Sequence, residues 1–137
     1  SGWEKALSEA DIEPTMFCEG DWYAEDGKSC MSYMLEQWPD IEAVFVSNDN
    51  CALGAISTLQ KSGHRIPEDV KVIGFDDVRF LDYTNPPLTS IRQDYYSMGD
   101  CAAKELCRRI EHPESEAQVR IIPTQLVLRR SCGCEYE

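Results

Sequence analysis

Two short apolar runs, each followed at once by polar side chains, constrain the fold most strongly. Ala43–Ser47 precedes Asn48, and Val70–Phe75 precedes Asp76. Ala43–Ser47 is continuous, as is typical of a strand that is buried on both faces in a parallel sheet, and Val70–Phe75 is interrupted only by Lys71. Because segments with helical spacing of apolar residues alternate with these runs, the sequence predicts βαβ units.

The remaining elements follow from the same spacing rules. Helices are predicted over Trp3–Ala10, Glu25–Trp38, Cys51–Ser62 and Tyr95–Glu111. Further strand candidates are Thr15–Cys18, Leu88–Arg92 and Val119–Leu128. We therefore expect an α/β fold in which helices flank a Rossmann-like parallel sheet with right-handed crossovers.

The charge of the chain limits its direct partners. With 25 acidic and 13 basic residues, the net charge is −12. DNA affinity comes largely from Lys and Arg on phosphates, so we expect any contact with DNA to be made by a segment outside this sequence. No apolar run approaches the roughly 18 residues of a membrane span, so we expect no membrane partner.

Seven cysteines are too many for complete internal pairing. Five lie scattered in apolar segments and are expected to be free: Cys18, Cys30, Cys51, Cys101 and Cys107. Free thiols are typical of a reducing compartment, which predicts a cytoplasmic protein. Cys132 and Cys134 form a close pair, but no second pair completes a structural zinc site, so no metal site is expected.

Polar and aromatic side chains follow three predicted strands. Trp22, Asn48 and Asp76 each stand just after a strand, and ligands of open α/β sheets bind beyond the carboxyl ends of the strands. Carboxylates accept hydrogen bonds from hydroxyl groups, amides donate and accept, and an indole can cover the apolar face of a sugar ring. The three side chains therefore predict a site for a small polyhydroxylated or otherwise polar ligand.

Each of these residues also has a purely structural explanation. Asn48 or Asp49 can serve only as a helix cap, Trp22 only as a core anchor, and Asp77 only as a cap of its loop. Catalysis has little support, because the sequence has no glycine-rich phosphate loop and no nucleophile elbow. We therefore expect neither an enzyme nor a cofactor.

Four motifs in order resemble those of LacI-family transcription regulators. They are Val46–Asp49 with Cys51–Ala55, Gly63–Val70, Val72–Asp77 and Pro86–Gln93, which are similar to xNDxxALGA, GxxVPEDV, VxGFDD and PPLTTIRQ. The resemblance implies a periplasmic-binding-protein-like type I fold, in which two lobes hold an effector between them. It assigns residues 1–91 and 120–137 mainly to the C-terminal lobe, and residues 92–119 to a crossover into the N-terminal lobe.

The resemblance also implies roles for individual residues. The effector contacts would be Trp22, Asn48, Asp76 and Gln93, and the homodimer interface would include Leu53, Phe80 and Thr84. The family's helix-turn-helix and the first half of its effector domain would lie outside this sequence. The expected function is small-molecule sensing, with a sugar favoured by Trp22 and Asp76, although purine-binding relatives use related positions.

Two alternatives stay open. The Cys132-Gly133-Cys134 ending is similar to that of LacI-like sensors that continue into another output module, such as a signalling enzyme. A secreted solute-binding protein has the same fold, but free thiols argue against secretion. The full-length gene product would separate these possibilities from a cytoplasmic regulator.

Overall fold

The computed structural model describes residues 2–13 and 16–134, and its centre is a four-stranded sheet. The strands are β1 (Ala43–Phe45), β2 (Lys71–Asp76), β3 (Thr89–Arg92) and β4 (Gln125–Val127), in that order. The first three strands are parallel, and β4 pairs antiparallel with β3. The predicted α/β fold with a mainly parallel sheet is confirmed.

In the part of the chain that the structure describes, four α-helices accompany the sheet. They are α1 (Gly2–Glu9), α2 (Ala24–Gln37), α3 (Asp49–Lys61) and α4 (Tyr95–Glu111). The predicted bounds of α4 are confirmed, and those of the other three differ by one or two residues, as helix ends usually do. Gly63, with φ at +87°, follows α3 in the left-handed conformation that commonly ends a helix.

The core lies between α3 and one face of the sheet. Its fully buried side chains are Met31, Ala52, Ala55, Ile56, Leu59, Ile66, Val70, Val72, Leu81 and Leu88. The positions in α3 recur at three- and four-residue spacing, so a single stripe of that helix covers the sheet. Burial of this stripe positions the start of α3 at the carboxyl end of β1.

Helices α2 and α3 pack with their backbones in close approach. A Cβ atom on Gly27 would lie 2.0 Å from the carbonyl oxygen of Cys51. A Cβ atom on Gly54 would lie 2.0 Å from the carbonyl oxygen of Ala24. The two glycines therefore form a reciprocal contact that brings the amino ends of α2 and α3 together.

Two strand predictions are wrong in part. Thr15 lies outside the described residues, and residues 16–18 form no strand; the segment is joined to α2 instead, and Phe17 is largely exposed. Val119–Leu128 contains only the three residues of β4, because Pro123 lacks the N–H that a ladder would need.

The prediction of free thiols is wrong for two cysteines. Cys18 and Cys30 form a disulfide, with their Cα atoms 5.7 Å apart. Spacing alone did not reveal this pair, because the turn before α2 folds residues 18–20 back onto the helix. The free cysteines are Cys51 and Cys132, which are buried, Cys101, which is half-buried, and Cys107 and Cys134, which are exposed.

Helix α4 contributes nothing to the core described above. The structure describes all of α4, and none of its residues is buried. Met98, Leu106 and Ile110 are exposed on it, Ile110 by 70%. Across residues 2–13 and 16–134, no helix has both the length and the apolar character needed to cross a bilayer.

Candidate functional site

The carboxyl ends of β1, β2 and β3 meet at one edge of the sheet because these strands are parallel neighbours. Asn48 lies just beyond β1, Asp76 is the last residue of β2, and Gln93 directly follows β3. The structure thus brings three of the four predicted contact positions to a common edge. This is the edge at which open α/β sheets bind ligands.

Asp76 is held by two donors at this edge. Its Oδ1 atom accepts hydrogen bonds from Gln93 Nε2 at 2.9 Å and from the Tyr95 hydroxyl at 2.7 Å. Its backbone φ is +110°, a rare conformation for a non-glycine residue, and such residues cluster at functional sites. The carboxylate is therefore oriented before any ligand arrives.

Tyr95 is a member of this cluster that the sequence analysis missed. Gln93 Nε2 also donates to the Tyr95 hydroxyl, at 2.9 Å, so the three side chains form a closed triangle with Asp76. The hydrogen bond to Asp76 raises the pKa of Tyr95, and the phenol stays a donor at neutral pH. Its position two residues after Gln93, at the start of α4, is the signal that could have indicated it.

Asn48 is the N-cap of α3. Its Oδ1 atom accepts from the Cys51 backbone N–H at 2.8 Å, its Nδ2 donates to Cys51 Sγ at 3.2 Å, and the residue is 3% exposed. The cap alternative therefore describes the contacts of Asn48 in this chain. Its contact with an effector stays a prediction.

Trp22 is 70% exposed, which rules out the core-anchor alternative. Its loop lies against the first turn of α3, because Cys51 Sγ donates to the carbonyl oxygens of Asp21 at 3.4 Å and Tyr23 at 3.1 Å. The segment that contains Trp22 is not a strand of the sheet. These contacts nevertheless hold Trp22 close to Cys51, in the turn of α3 that Asn48 caps. The indole is available to a ligand from this position.

Asp49 is part of the framework beneath the edge. Its carboxylate is 1% exposed and accepts from the Ser90 hydroxyl at 2.7 Å and the Val78 backbone N–H at 2.9 Å. A Cβ atom on Gly74 would lie 2.3 Å from Asp49 Oδ1, so β2 needs a glycine there. Burial raises the pKa of Asp49, although the two hydrogen bonds oppose the shift.

The substitution Asp49→Asn tests whether ionisation of this buried carboxyl lowers the stability of the fold. A carboxyl whose folded pKa is raised costs stability when it ionises: the cost is absent below the unfolded pKa and present above the folded pKa. Asparagine can accept from the Val78 N–H through Oδ1 and donate to Ser90 Oγ through Nδ2, so both partners stay hydrogen-bonded without the charge. We expect the unfolding free energy of the variant, relative to the parent, to rise as pH increases from 3.8 through the folded pKa. Urea unfolding from pH 3.5 to 7 measures this difference in unfolding free energy. A difference that does not change with pH would contradict the raised pKa. Asp49→Ala, which loses both hydrogen bonds, should lower the unfolding free energy by about 2–3 kcal/mol at every pH.

Asp77, which follows Asp76, takes no part in the triangle of Asp76, Gln93 and Tyr95. Its side chain is 3% exposed and pairs with Arg92 at 2.6 Å and with Arg129 at 2.7 Å. Arg129 is also buried, and it donates to Asp82 at 2.6 Å and to the Leu88 carbonyl oxygen at 2.9 Å. Asp77 is thus part of the framework, through these ion pairs rather than as the loop cap considered for it.

An open cavity of about 780 Å³ lies beside these groups. Its lining residues are Asp76, Asp77, Val78, Arg79, Asp82, Arg92, Gln93, Tyr95 and Arg129. Most of its charged groups are paired with one another, whereas Asp76 contacts only neutral donors among the described residues. No cluster of three or more His, Cys, Asp or Glu suited to a metal occurs in residues 2–13 and 16–134.

The three predicted interface residues lie on two segments, α3 and the turn around residues 80–84. Leu53 is half-buried on α3, and Phe80 is 48% exposed. The Thr84 hydroxyl donates within its own loop, to the carbonyl oxygens of Leu81 and Pro86, and accepts from the Leu88 N–H at 3.1 Å. Thr84 therefore shapes the loop that presents Phe80.

Comparison with known proteins gives concordant matches. The model of the periplasmic binding protein-like domain family matches residues 1–132. HTH-type transcriptional repressors PurR from Mannheimia succiniciproducens and Haemophilus influenzae are each 40% identical to the chain, over 132 and 136 residues. Each alignment covers 95% of this chain, which spans about 40% of the length of these curated relatives.

Solved structures agree with the sequence relatives. A complex of the transcriptional regulator CelR with cellobiose is 35% identical, with a TM-score of 0.90 over 95% of this chain and 40% of its own. A Lac repressor dimer bound to operator and the anti-inducer ONPF is 33% identical, with a TM-score of 0.87 over 95% of this chain and 45% of its own. The chain belongs to the periplasmic binding protein-like domain family, as part of an effector-binding domain of the LacI type.

Proposed function

We propose that this chain supplies one wall of an effector site, in the sensor of a LacI-type transcription regulator. The observation that carries the proposal is the Asp76 carboxylate, which Gln93 and Tyr95 orient through one oxygen. Its second oxygen accepts no hydrogen bond within the described residues. A ligand hydroxyl that donates to this oxygen would complete the site without displacing a protein contact.

A sugar is the proposed class of effector. Trp22 exposes an indole near the amino end of α3, and such a face covers the C–H surface of a pyranose ring while a carboxylate binds its hydroxyl groups. The solved CelR relative, as a complex with cellobiose, supports this class. In this proposal Asn48 also contacts the effector, through the same side-chain amide that caps α3.

A ligand screen tests the effector class. The full-length protein would be melted with monosaccharides, disaccharides and purine bases, because a ligand that binds only the folded state raises the melting temperature. Calorimetry would then measure the dissociation constant of any ligand that shifts the melt. Stabilisation by purines and not by any sugar would overturn the proposed class.

Asp76→Ala should weaken binding of the ligand found in that screen by about 10- to 100-fold, because a hydrogen bond to a charged group contributes roughly 1.5–3 kcal/mol. Calorimetry of the full-length variant measures the loss, and an unchanged melting temperature without ligand would show that the fold persists. Asp100→Asn, on the exposed surface of α4, is the matched control and should bind as the parent does. Parent-like affinity in Asp76→Ala would remove Asp76 from the site.

The other half of the cleft belongs, in this proposal, to a second lobe. Residues 92–119 would cross into that lobe, and residues 1–91 and 120–137 would form this one. The exposed apolar side chains Met98, Leu106 and Ile110 support the division, because an apolar helix face of this kind needs a partner. Strands of the second lobe would supply it.

A homodimer connects the sensor to its output in this proposal. Leu53 on α3 and the exposed Phe80 would supply apolar surface to the interface, and Thr84 holds the loop that follows Phe80. The solved Lac repressor relative is a dimer bound to operator, which supports the same arrangement. Effector binding would shift the equilibrium between two lobe orientations by its differential affinity for them.

The output is proposed to be DNA binding by a separate headpiece in a cytoplasmic, non-enzymatic protein. The relatives named HTH-type transcriptional repressors support this, and the net charge of −12 favours a DNA contact outside this chain. A gel-shift titration of the full-length protein, with and without its sugar, tests it. No operator binding in either state would favour a different output.

A further inference from the structure

We propose that Cys132 and Cys134 form a thiol–disulfide exchange site that reacts with low-molecular-weight disulfides such as glutathione disulfide. The site is independent of the proposed effector function. It lies at the amino ends of β2 and β3, whereas the effector edge lies at their carboxyl ends. Nothing in the sensor mechanism above uses it.

The local backbone brings the two thiols together. A 3₁₀ turn over Arg130–Cys132 ends at Gly133, whose φ of +72° is in the left-handed region. This conformation reverses the chain within one residue, and glycine adopts it without cost. Residues two apart in such a turn lie within the Cα separation that a disulfide spans.

The framework holds Cys132 in place. The Ser131 hydroxyl donates to the Val72 carbonyl oxygen at 2.6 Å and accepts from the Thr89 N–H at 2.9 Å. The Cys132 thiol donates to the Arg129 carbonyl oxygen at 3.4 Å, and the residue is 5% exposed. A cysteine fixed in this way cannot meet a bulky reagent directly, but it can meet the neighbouring sulfur.

Cys134 provides the access that Cys132 lacks. It is exposed, and its pKa is raised chiefly because its thiol hydrogen-bonds to Cys132, while Lys71 opposes the shift. Burial alone would raise the pKa of Cys132, but hydrogen bonds from Thr89 and Cys134 lower it overall. The pair therefore has an exposed sulfur that meets the reagent and a buried neighbouring sulfur that resolves the product.

The exchange balances in two steps. The Cys134 thiolate attacks one sulfur of the external disulfide, the sulfur–sulfur bond breaks, and the first thiolate leaves and takes up the proton lost by Cys134. The Cys132 thiolate then attacks Cys134 Sγ, which breaks the mixed disulfide and releases a second thiolate that takes up the proton of Cys132. The cysteines lose two electrons, and the external disulfide gains them.

The other free cysteines do not form such a pair. The Cys51 thiol is buried and donates to the carbonyl oxygens of Asp21 and Tyr23. Cys101 and Cys107 are six residues apart on α4, which places them on different faces, about 120° around the helix. Among the described free cysteines, the close juxtaposition occurs at Cys132 and Cys134.

Peptide mapping of the full-length protein tests the site. The protein would be incubated with a mixture of glutathione and glutathione disulfide, the remaining thiols alkylated, and the peptide containing both cysteines analysed by mass spectrometry. We expect it to lose the mass of two hydrogen atoms and to retain no glutathione. A glutathione adduct that persists at Cys134, with Cys132 still alkylated, overturns the proposal.

Variants separate the two roles. Cys132→Ser should retain glutathione on Cys134, because no second sulfur can displace it, and Cys134→Ser should leave Cys132 unmodified. Lys71→Gln should slow the first step severalfold, because Lys71 favours the Cys134 thiolate. Cys107→Ser should match the parent. Modification of Cys132 at the parent's rate in Cys134→Ser contradicts the scheme, and this variant changes only an exposed residue, so folding does not confound it.

Discussion

Gly54→Ala is expected to destabilise the fold by at least about 3 kcal/mol, or to prevent folding. The new methyl group would lie 2.0 Å from the Ala24 carbonyl oxygen and 2.9 Å from the Lys28 nitrogen. Both are backbone atoms of α2, so no side-chain rotation relieves the clash and the two helices must separate. Helix propensity acts in the opposite direction, since alanine is favoured over glycine by about 1 kcal/mol in a helix interior, and it is too small to compensate.

Gly27→Ala should behave in the same way, because its methyl group would meet the Cys51 carbonyl oxygen at 2.0 Å. Ser32→Ala, at an exposed position of α2, is the control and should stay within about 0.5 kcal/mol of the parent. Urea unfolding followed by circular dichroism gives all three values. Parent-like stability of both glycine variants would show that α2 and α3 do not pack as closely as described.

Arg129→Met is expected to cost about 3 kcal/mol of unfolding free energy. The substitution keeps most of the side-chain volume but leaves the Asp77 carboxylate, which is 3% exposed, with Arg92 as its remaining charged partner. It also removes the donor to the buried Leu88 carbonyl oxygen. The pair with Asp82 adds little, because the Asp82 side chain is 66% exposed.

The neighbouring residue gives a matched control. Arg130 is 60% exposed and reaches Glu68 at 3.5 Å, so Arg130→Met should change stability by less than about 0.5 kcal/mol. Combining Arg129→Met with Asp77→Asn should recover part of the loss, because the buried carboxylate that lost Arg129 is then uncharged. Strict additivity of the two changes would mean that the ion pair is not the source of the effect.

The parallel part of the fold could be predicted because its signals are local. The runs Ala43–Ser47 and Val70–Phe75 are mostly apolar, which is typical of strands in a parallel sheet. Once those strands are placed in parallel, the common edge for Asn48 and Asp76 follows from geometry alone. The motif resemblance placed Gln93 at the same edge.

The missed features depend on contacts between distant parts of the chain. Arg129 is 52 residues from Asp77 and 40 from Thr89, separations over which no spacing rule operates. The disulfide between Cys18 and Cys30 depends on how the segment before α2 folds back. Tyr95 reaches Asp76 only because β3 leads directly into α4 at that edge.

The end of β2 has a consequence for how this site can vary. Asp76 and Asp77 are consecutive, both with positive φ, yet one contacts uncharged donors and the other contacts arginines. In the proposed site, a neutral residue in place of Asp76 would change which effectors bind, while Arg92 and Arg129 keep Asp77 as their counter-charge. The same change at Asp77 would remove the buried partner of both arginines. We therefore expect the fold to tolerate substitutions of Asp76 and to be destabilised by substitutions of Asp77.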